Sequence, residues 1–233
     1  MNVIKVVHII PAAFNYFDDI KSFVFSVIDL QNSYGVEASA ITLQYGSGDI
    51  KKDRDFLEQK KTEAKTKKDL PNFDFKGVKS IGEAVGEFDQ FDIVHMHLPF
   101  FGAGKLILNW KKENTDIPFV ITYYHDFKSL DFFSLMITAY NKYYVPKLLN
   151  IADMVTCIDP GSFAKSLGFR VLKDKTKLFV LESEKFEKNQ HLTNFKDEVE
   201  LSGKKFRIEI AEAMLSTYLM LLDTIKKSYQ SGR

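Results

Sequence analysis

Only one cysteine, Cys157, occurs in the 233 residues, inside the apolar stretch ADMVTCI. A lone cysteine excludes an intrachain disulfide and a cysteine-built metal site, and its surroundings place it in a core. An excess of either charge is missing too. The chain carries 32 basic and 31 acidic residues, a formal net charge of +1, which leaves no electrostatic footprint for nucleic acid. No apolar run approaches the roughly 20 residues of a membrane span, and Met1 opens into a strand without a signal-peptide pattern. A cytoplasmic protein is the expectation. A phosphate-binding P-loop is absent as well: in the string GAGK at 102–105 the motif's first glycine would fall on Pro99, and no serine or threonine follows Lys105. Internal repeats and low-complexity segments are also lacking.

What is present alternates. Val3 to Ile10 reads as a first strand stopped by Pro11, and Asp18 and Asp19 cap a helix whose Ile20, Phe23, Val24, Val27, Ile28 and Leu30 follow helical spacing up to Gly35. A second strand follows at 36–43. From Gly46 to Leu70 lysines interleave with acids, which suits a solvated helix face or loop, or a basic edge lying on anionic lipid. A strand at 73–78 and a small helix from Ile81 to Phe88 lead to the strand FDIVHMHL, 91–98. A helix from Gly102 to Glu113, the strand FVITYYH at 119–125, and a helix from about Phe132 to Asn150, kinked by Pro146, come next. The strand MVTCI at 154–158, a short helix at 160–167 and the strand KLFVLE at 177–182 complete the pattern.

This alternation predicts the α/β class: a single Rossmann-like domain with a parallel sheet flanked by helices and right-handed crossovers, plus a long C-terminal helix. The boundaries are a domain over 1–181, a polar linker over 182–204, and an amphipathic helix over 205–230. In that helix Ile210, Met214, Leu215, Tyr218, Leu221, Leu222 and Ile225 share one face, which must pack on the domain or on a partner.

Two of the apolar strands stop on histidines. His95, His97, His125 and Asp126 therefore cluster near strand exits, where open α/β sheets bind their ligands. Each histidine taken alone also fits a residue that hydrogen-bonds a neighbouring loop. His95 and His97 share a strand face, so they would chelate zinc only if a third ligand such as His125 converged, and the reading adopted is no metal.

The order of segments resembles the amino-terminal half of retaining glycosyltransferases of family 4, the GT-B group with two facing Rossmann-like domains. The resemblance rests on Asp92 to His97 against D-[IV]-[IV]-H-x-H, on Thr122 to Asp126 against T-x-H-D with Tyr124 as an extra residue, and on Ala152 to Val155 against A-D-x-[IV]. It covers Met1 to about Leu181, and Tyr218 with Leu221 and Leu222 resembles the family's closing helix. It implies that His125 faces the donor sugar and that Asp126 orients it or holds the following loop. His95, His97 and Pro99 would line the acceptor groove, with Phe14, Asp18 and Asp19 in the loop after the first strand. A nucleotide-sugar donor, a sugar or lipid-linked acceptor and no covalently bound cofactor follow from the same resemblance.

Two departures qualify what the family implies. The second domain, which carries a Glu-x7-Glu pair, has no counterpart between Glu182 and Lys205. Where the family usually has Gly-Gly for a diphosphate, this chain has Asp18 and Asp19, whose carboxylates repel one. Three readings stay open: a truncated, acceptor-binding half completed by a donor-binding chain, a non-catalytic binding or scaffold module, or an enzyme that completes its cleft with a homodimer mate. The location expected is cytoplasmic, with peripheral contact to the inner membrane surface left open.

Overall fold

The computed structural model describes residues 3–11, 18–43, 75–78, 80–126, 134–181 and 195–231. The charged stretch from Gly46 to Leu70, read above as a solvated face or a lipid-binding edge, lies outside them, as does Phe14. The strands are β1 (Lys5–Pro11), β2 (Glu37–Leu43), β3 (Phe75–Val78), β4 (Ile93–Leu98), β5 (Phe119–Tyr123), β6 (Met154–Cys157) and β7 (Leu178–Val180). All six pairings are parallel, and the order across the sheet is β3-β2-β1-β4-β5-β6-β7. A seven-stranded parallel sheet flanked by helices is a Rossmann-like α/β fold, as the alternation of segments predicts. Because β1 pairs with both β2 and β4, the winding reverses there, and such a switch point leaves a crevice at the carboxyl ends of the strands.

Helix α1 (Asp18–Ser33) ends on Gly35, whose φ of +83° is a left-handed cap that a side chain would strain. The cap bonds the Gly35 N–H to the Asn32 carbonyl and the Val36 N–H to the Gln31 carbonyl, turning the chain into β2. Helix α2 (Gly104–Glu113) follows β4. Its buried Lys111 ties three elements together: Nζ lies 2.8 Å from Asp153 Oδ2 before β6 and donates to the Ile117 carbonyl at 2.7 Å before β5. Asp153 Oδ2 also accepts from the Phe119 N–H at 2.7 Å. A buried cation is tolerated only when so surrounded.

The helix expected to kink at Pro146 is two helices, α3 (Ser134–Tyr143) and α4 (Val145–Ile151), with the break at Tyr144. Proline lacks the N–H that a continuing helix needs and is tolerated in a first turn, where α4 places it. The short helices α5 (Pro160–Lys165) and α6 (Leu167–Val171) then lead to β7. The terminal helix α7 runs from Phe195 to Ser231 and so begins within the segment read as a polar linker. Residues 195–204, FKDEVELSGK, are rich in helix formers, and the acids near the start favour the positive end of the helix dipole.

The sheet is buried on both faces. One layer takes Val7, Ile9, Val94, Met96, Phe119 and Ile121 against α2, α4 and the short helices. The other takes Val6, Ile10, Ile93 and Val120 against α1 and α7. Helix α7 inserts Ile210, Ala211, Met214, Tyr218 and Leu221 into that second layer, and each large side chain so buried contributes roughly 2 kcal/mol. The amphipathic face of the terminal helix thus packs on the domain itself.

Candidate functional site

Strand alternation puts His8 of β1, His95 and His97 of β4, and Thr122 of β5 on the face beneath α1 and α7, in register across neighbouring strands. All four are fully buried. His95 and His97, expected to line a groove, therefore sit inside the second core layer.

Their hydrogen bonds form two chains. In the first, His8 Nε2 lies 2.9 Å from Gln31 Oε1, His8 Nδ1 lies 2.9 Å from His97 Nε2, and His97 Nδ1 lies 3.0 Å from the Tyr124 hydroxyl. The Gln31 oxygen accepts only, so His8 donates from Nε2 and accepts at Nδ1 from His97 Nε2–H, and His97 accepts from the Tyr124 O–H. Both rings are satisfied while neutral. In the second chain, His95 Nδ1 bonds the Tyr218 hydroxyl of α7, and His95 Nε2 lies 2.7 Å from Thr122 Oγ1, itself 2.7 Å from Thr156 Oγ1 of β6. The Gln31 amide nitrogen makes no hydrogen bond of ordinary geometry, but it lies toward the Tyr218 hydroxyl and acts to lower that phenol's pKa against the larger upward push of burial.

Burial holds the imidazoles neutral. It lowers His8 to about 4, partly offset by the Gln31 bond, and drives His95 and His97 well below the ordinary value, helped by their histidine neighbours. The sign for stability follows. In the pH range between the folded and unfolded pKa values the unfolded chain binds more protons, so stability is complete above the unfolded pKa of about 6.5 and is lost as pH falls toward 4. His8 alone accounts for on the order of 3 kcal/mol over that window. Nuclear magnetic resonance checks this directly: three histidine ring signals are expected to stay at neutral positions at pH 6. Three rings titrating near 6.5 would contradict the buried chains.

These three histidines each offer a nitrogen within 4.8 Å of the others, so the third ligand that converges on His95 and His97 is His8, where sequence reasoning had considered His125. All six ring nitrogens nevertheless face hydrogen-bond partners already, and no carboxylate joins the cluster among the described residues. The donor set fits a closed hydrogen-bond layer better than a cation, whose charge would be buried without an anionic partner.

The strand exits are different. Tyr124 N–H bonds the Leu98 carbonyl, so the segments that leave β4 and β5 start side by side. Pro99 is buried, whereas His125 is exposed and donates from Nδ1 to the Asp126 carbonyl at 3.0 Å. The Asp126 carboxylate turns elsewhere. It accepts from the Tyr123 hydroxyl at 2.6 Å and from the Leu167 N–H at 2.8 Å, anchoring the start of α6. Burial first, then Asp126, pushes the Tyr123 phenol far up, so it stays a donor. Asp18 and Asp19 form the first turn of α1, and their side chains lie outside the described residues.

Beyond the β4 exit a cavity of about 290 Å³ opens between Phe101 and Lys105 on one wall and Met136, Ala139, Tyr140 and Tyr144 on the other. Gly104 lets α2 pack directly on Tyr144, since a Cβ there would collide with the ring.

Sequence reasoning gave no part to His8, Gln31 and Thr156, and it named Tyr218 only as a packing position and Tyr124 only as an inserted residue. One signal was available: a polar residue inside an apolar strand run, as His8 is, needs buried partners.

Residues 30–169 match the family model described as Glycosyltransferase Family 4. No curated protein matches the chain. Among solved structures, a candidate UDP-N-acetylglucosamine 2-epimerase from Listeria monocytogenes is similar at 14% identity and a TM-score of 0.44, over 77% of this chain and 45% of that one. The chain thus spans less than half the length of that protein. An oxidoreductase from Corynebacterium diphtheriae is similar at 12% identity and a TM-score of 0.36, over 93% of this chain and 99% of that one.

Proposed function

The chain belongs to Glycosyltransferase Family 4, and from that premise we propose that it is the acceptor-binding half of a sugar transferase, completed by a donor-binding chain or by a second copy. The observation that carries this reading is internal to the chain. Only residues 181–194 separate the exit of β7 from the start of α7, which packs back on the sheet through Ile210, Met214 and Tyr218. A second Rossmann-like domain has no room in that connection, so the walls that grip a nucleotide-sugar come from elsewhere. The acceptor, a sugar or a lipid-linked sugar, lies at the exits of β4 and β5, where the crevice of an open α/β sheet falls. His125 is exposed there, and an imidazole in that place hydrogen-bonds a sugar hydroxyl or stabilises developing charge.

The Asp18–Asp19 pair favours a second reading, a non-catalytic binding or scaffold module, because two carboxylates at the amino end of α1 repel the diphosphate that a helix start would otherwise attract. One experiment separates the two. Purified chain is incubated with a panel of nucleotide-sugars alone, at rising concentration, and with extract of the source cells. Transfer or hydrolysis that rises steeply with concentration supports completion by a second copy, turnover only with extract supports a donor-binding chain, and silence throughout supports the scaffold.

A further inference from the structure

Helix α3 presents an unusual outer face. Leu135 is 81% exposed, Met136 50% and Tyr143 55%, and the exposed Ala139 and Lys142 lie among them. At 100° per residue these five fall within about 120° of the helix circumference, while Ile137 and Tyr140 point inward and are buried. Scattered apolar side chains on a surface need no explanation, but three large ones sharing one arc mark an interaction site. The cavity described above opens along the Met136 and Ala139 edge of this arc.

The charge within the described helix and on the facing wall of the cavity is of one sign. From 134 to 151 the sequence has Lys142 and Lys147 and no Asp or Glu, and Lys105 forms the opposite wall of the cavity. Lys142 Nζ lies over the Tyr143 ring, 5.5 Å from its centre. A lysine laid along an aromatic ring beside exposed aliphatic residues is the arrangement that suits a lipid–water boundary, where the rings sit among headgroups and the ammonium reaches phosphate. A twofold contact between copies would instead bring Lys142 toward its own mate with no acid in the patch to answer it.

We propose that this face of α3 docks the protein peripherally on an anionic lipid bilayer, Leu135, Met136 and Tyr143 entering the headgroup boundary while Lys105 and Lys142 meet lipid phosphates. The helix lies on the surface and does not cross it, since no helix among the described residues is long and apolar enough to span a membrane. The cavity beneath then faces the bilayer and is large enough to take the end of one hydrocarbon chain. The cavity adjoins the β4 exit, so this face borders the site of the sugar-transfer reading, but vesicle binding is measured without turnover and does not rest on that reading.

The test is co-sedimentation with vesicles of phosphatidylglycerol and phosphatidylcholine in equal parts, against phosphatidylcholine alone, at low and high salt. Binding is expected to the anionic vesicles and to weaken with salt. Leu135→Ser with Met136→Ser is expected to lower partitioning at least about tenfold, through lost apolar burial. Lys105→Glu with Lys142→Glu should lower it at least about twentyfold, each lysine near an anionic leaflet being a factor of roughly five. All four side chains are exposed, so folding is preserved, and a thermal melt verifies it. Absence of binding to anionic vesicles, or equal binding by both double variants, would overturn the proposal. So would a concentration-dependent dimer abolished by the serine variant without any vesicle binding, which would make the face a self-contact. Nucleotide-sugar turnover in vesicle-free solution is read separately, so failure here leaves the functional reading intact.

Discussion

Replacing His97 with alanine is expected to lower the unfolding free energy by about 3–5 kcal/mol, enough to remove a large part of a typical domain's stability. Two costs add. The deleted ring leaves a cavity in a packed layer between β4 and α1, where neighbouring side chains relax only in part. It also strips His8 Nδ1 of its donor and the Tyr124 hydroxyl of its acceptor, and each buried polar atom left unpaired costs roughly 1–3 kcal/mol. His97→Phe separates the terms, because it keeps the ring volume and removes both nitrogens, and it should recover only the cavity part. Urea denaturation with an unchanged slope measures both. A loss below about 1 kcal/mol for the alanine variant would mean that the chain Gln31–His8–His97–Tyr124 is not what closes this layer.

The second chain, through His95, reaches the terminal helix. Tyr218→Phe deletes one hydroxyl and leaves His95 Nδ1 without its partner, although the ring of Tyr218 still fills its place under α7. His95 thus couples β4 to a helix that stands far away in sequence. It fastens the closing helix to the sheet.

Local sequence carried the elements well and the partnerships poorly. β4 and β5 were legible because a run such as Ile93, Val94 or Phe119, Val120, Ile121 has no other use than a buried strand. That His95 and His97 share a face was legible from alternation alone. Which face was not, because strands buried on both sides show no polar side to orient them. The partners were invisible for a different reason: His8 is 89 positions from His97, and Tyr218 is 123 positions from His95, so only the assembled sheet brings them together. The start of α7 was misread as linker because polarity was taken for lack of structure, whereas a charged segment rich in helix formers extends a helix that is anchored further along. The reversal of winding between β1 and β4, which sets the crevice, has no local signature at all.

His125→Ala is expected to reduce sugar transfer at least about a hundredfold while shifting the melting temperature by less than about 2 °C. The argument is one of contrast with its neighbours. His125 is exposed, and its ring bonds the backbone carbonyl of the next residue at the surface, so its removal opens no buried cavity. Asp126→Ala deletes the acceptor for the Leu167 N–H and the Tyr123 hydroxyl, and it should cost about 1–3 kcal/mol of stability as the start of α6 loosens. A histidine that acts on the sugar loses kcat at unchanged stability, whereas a carboxylate that holds the loop loses stability first and rate only as a consequence. The measurement is transfer kinetics beside a thermal melt for both variants, under whichever condition gives turnover to the unaltered chain. Full activity in His125→Ala would remove the imidazole from the chemistry and leave the β5 exit as a binding surface. A loss of melting temperature equal to that of Asp126→Ala would show that His125 is structural.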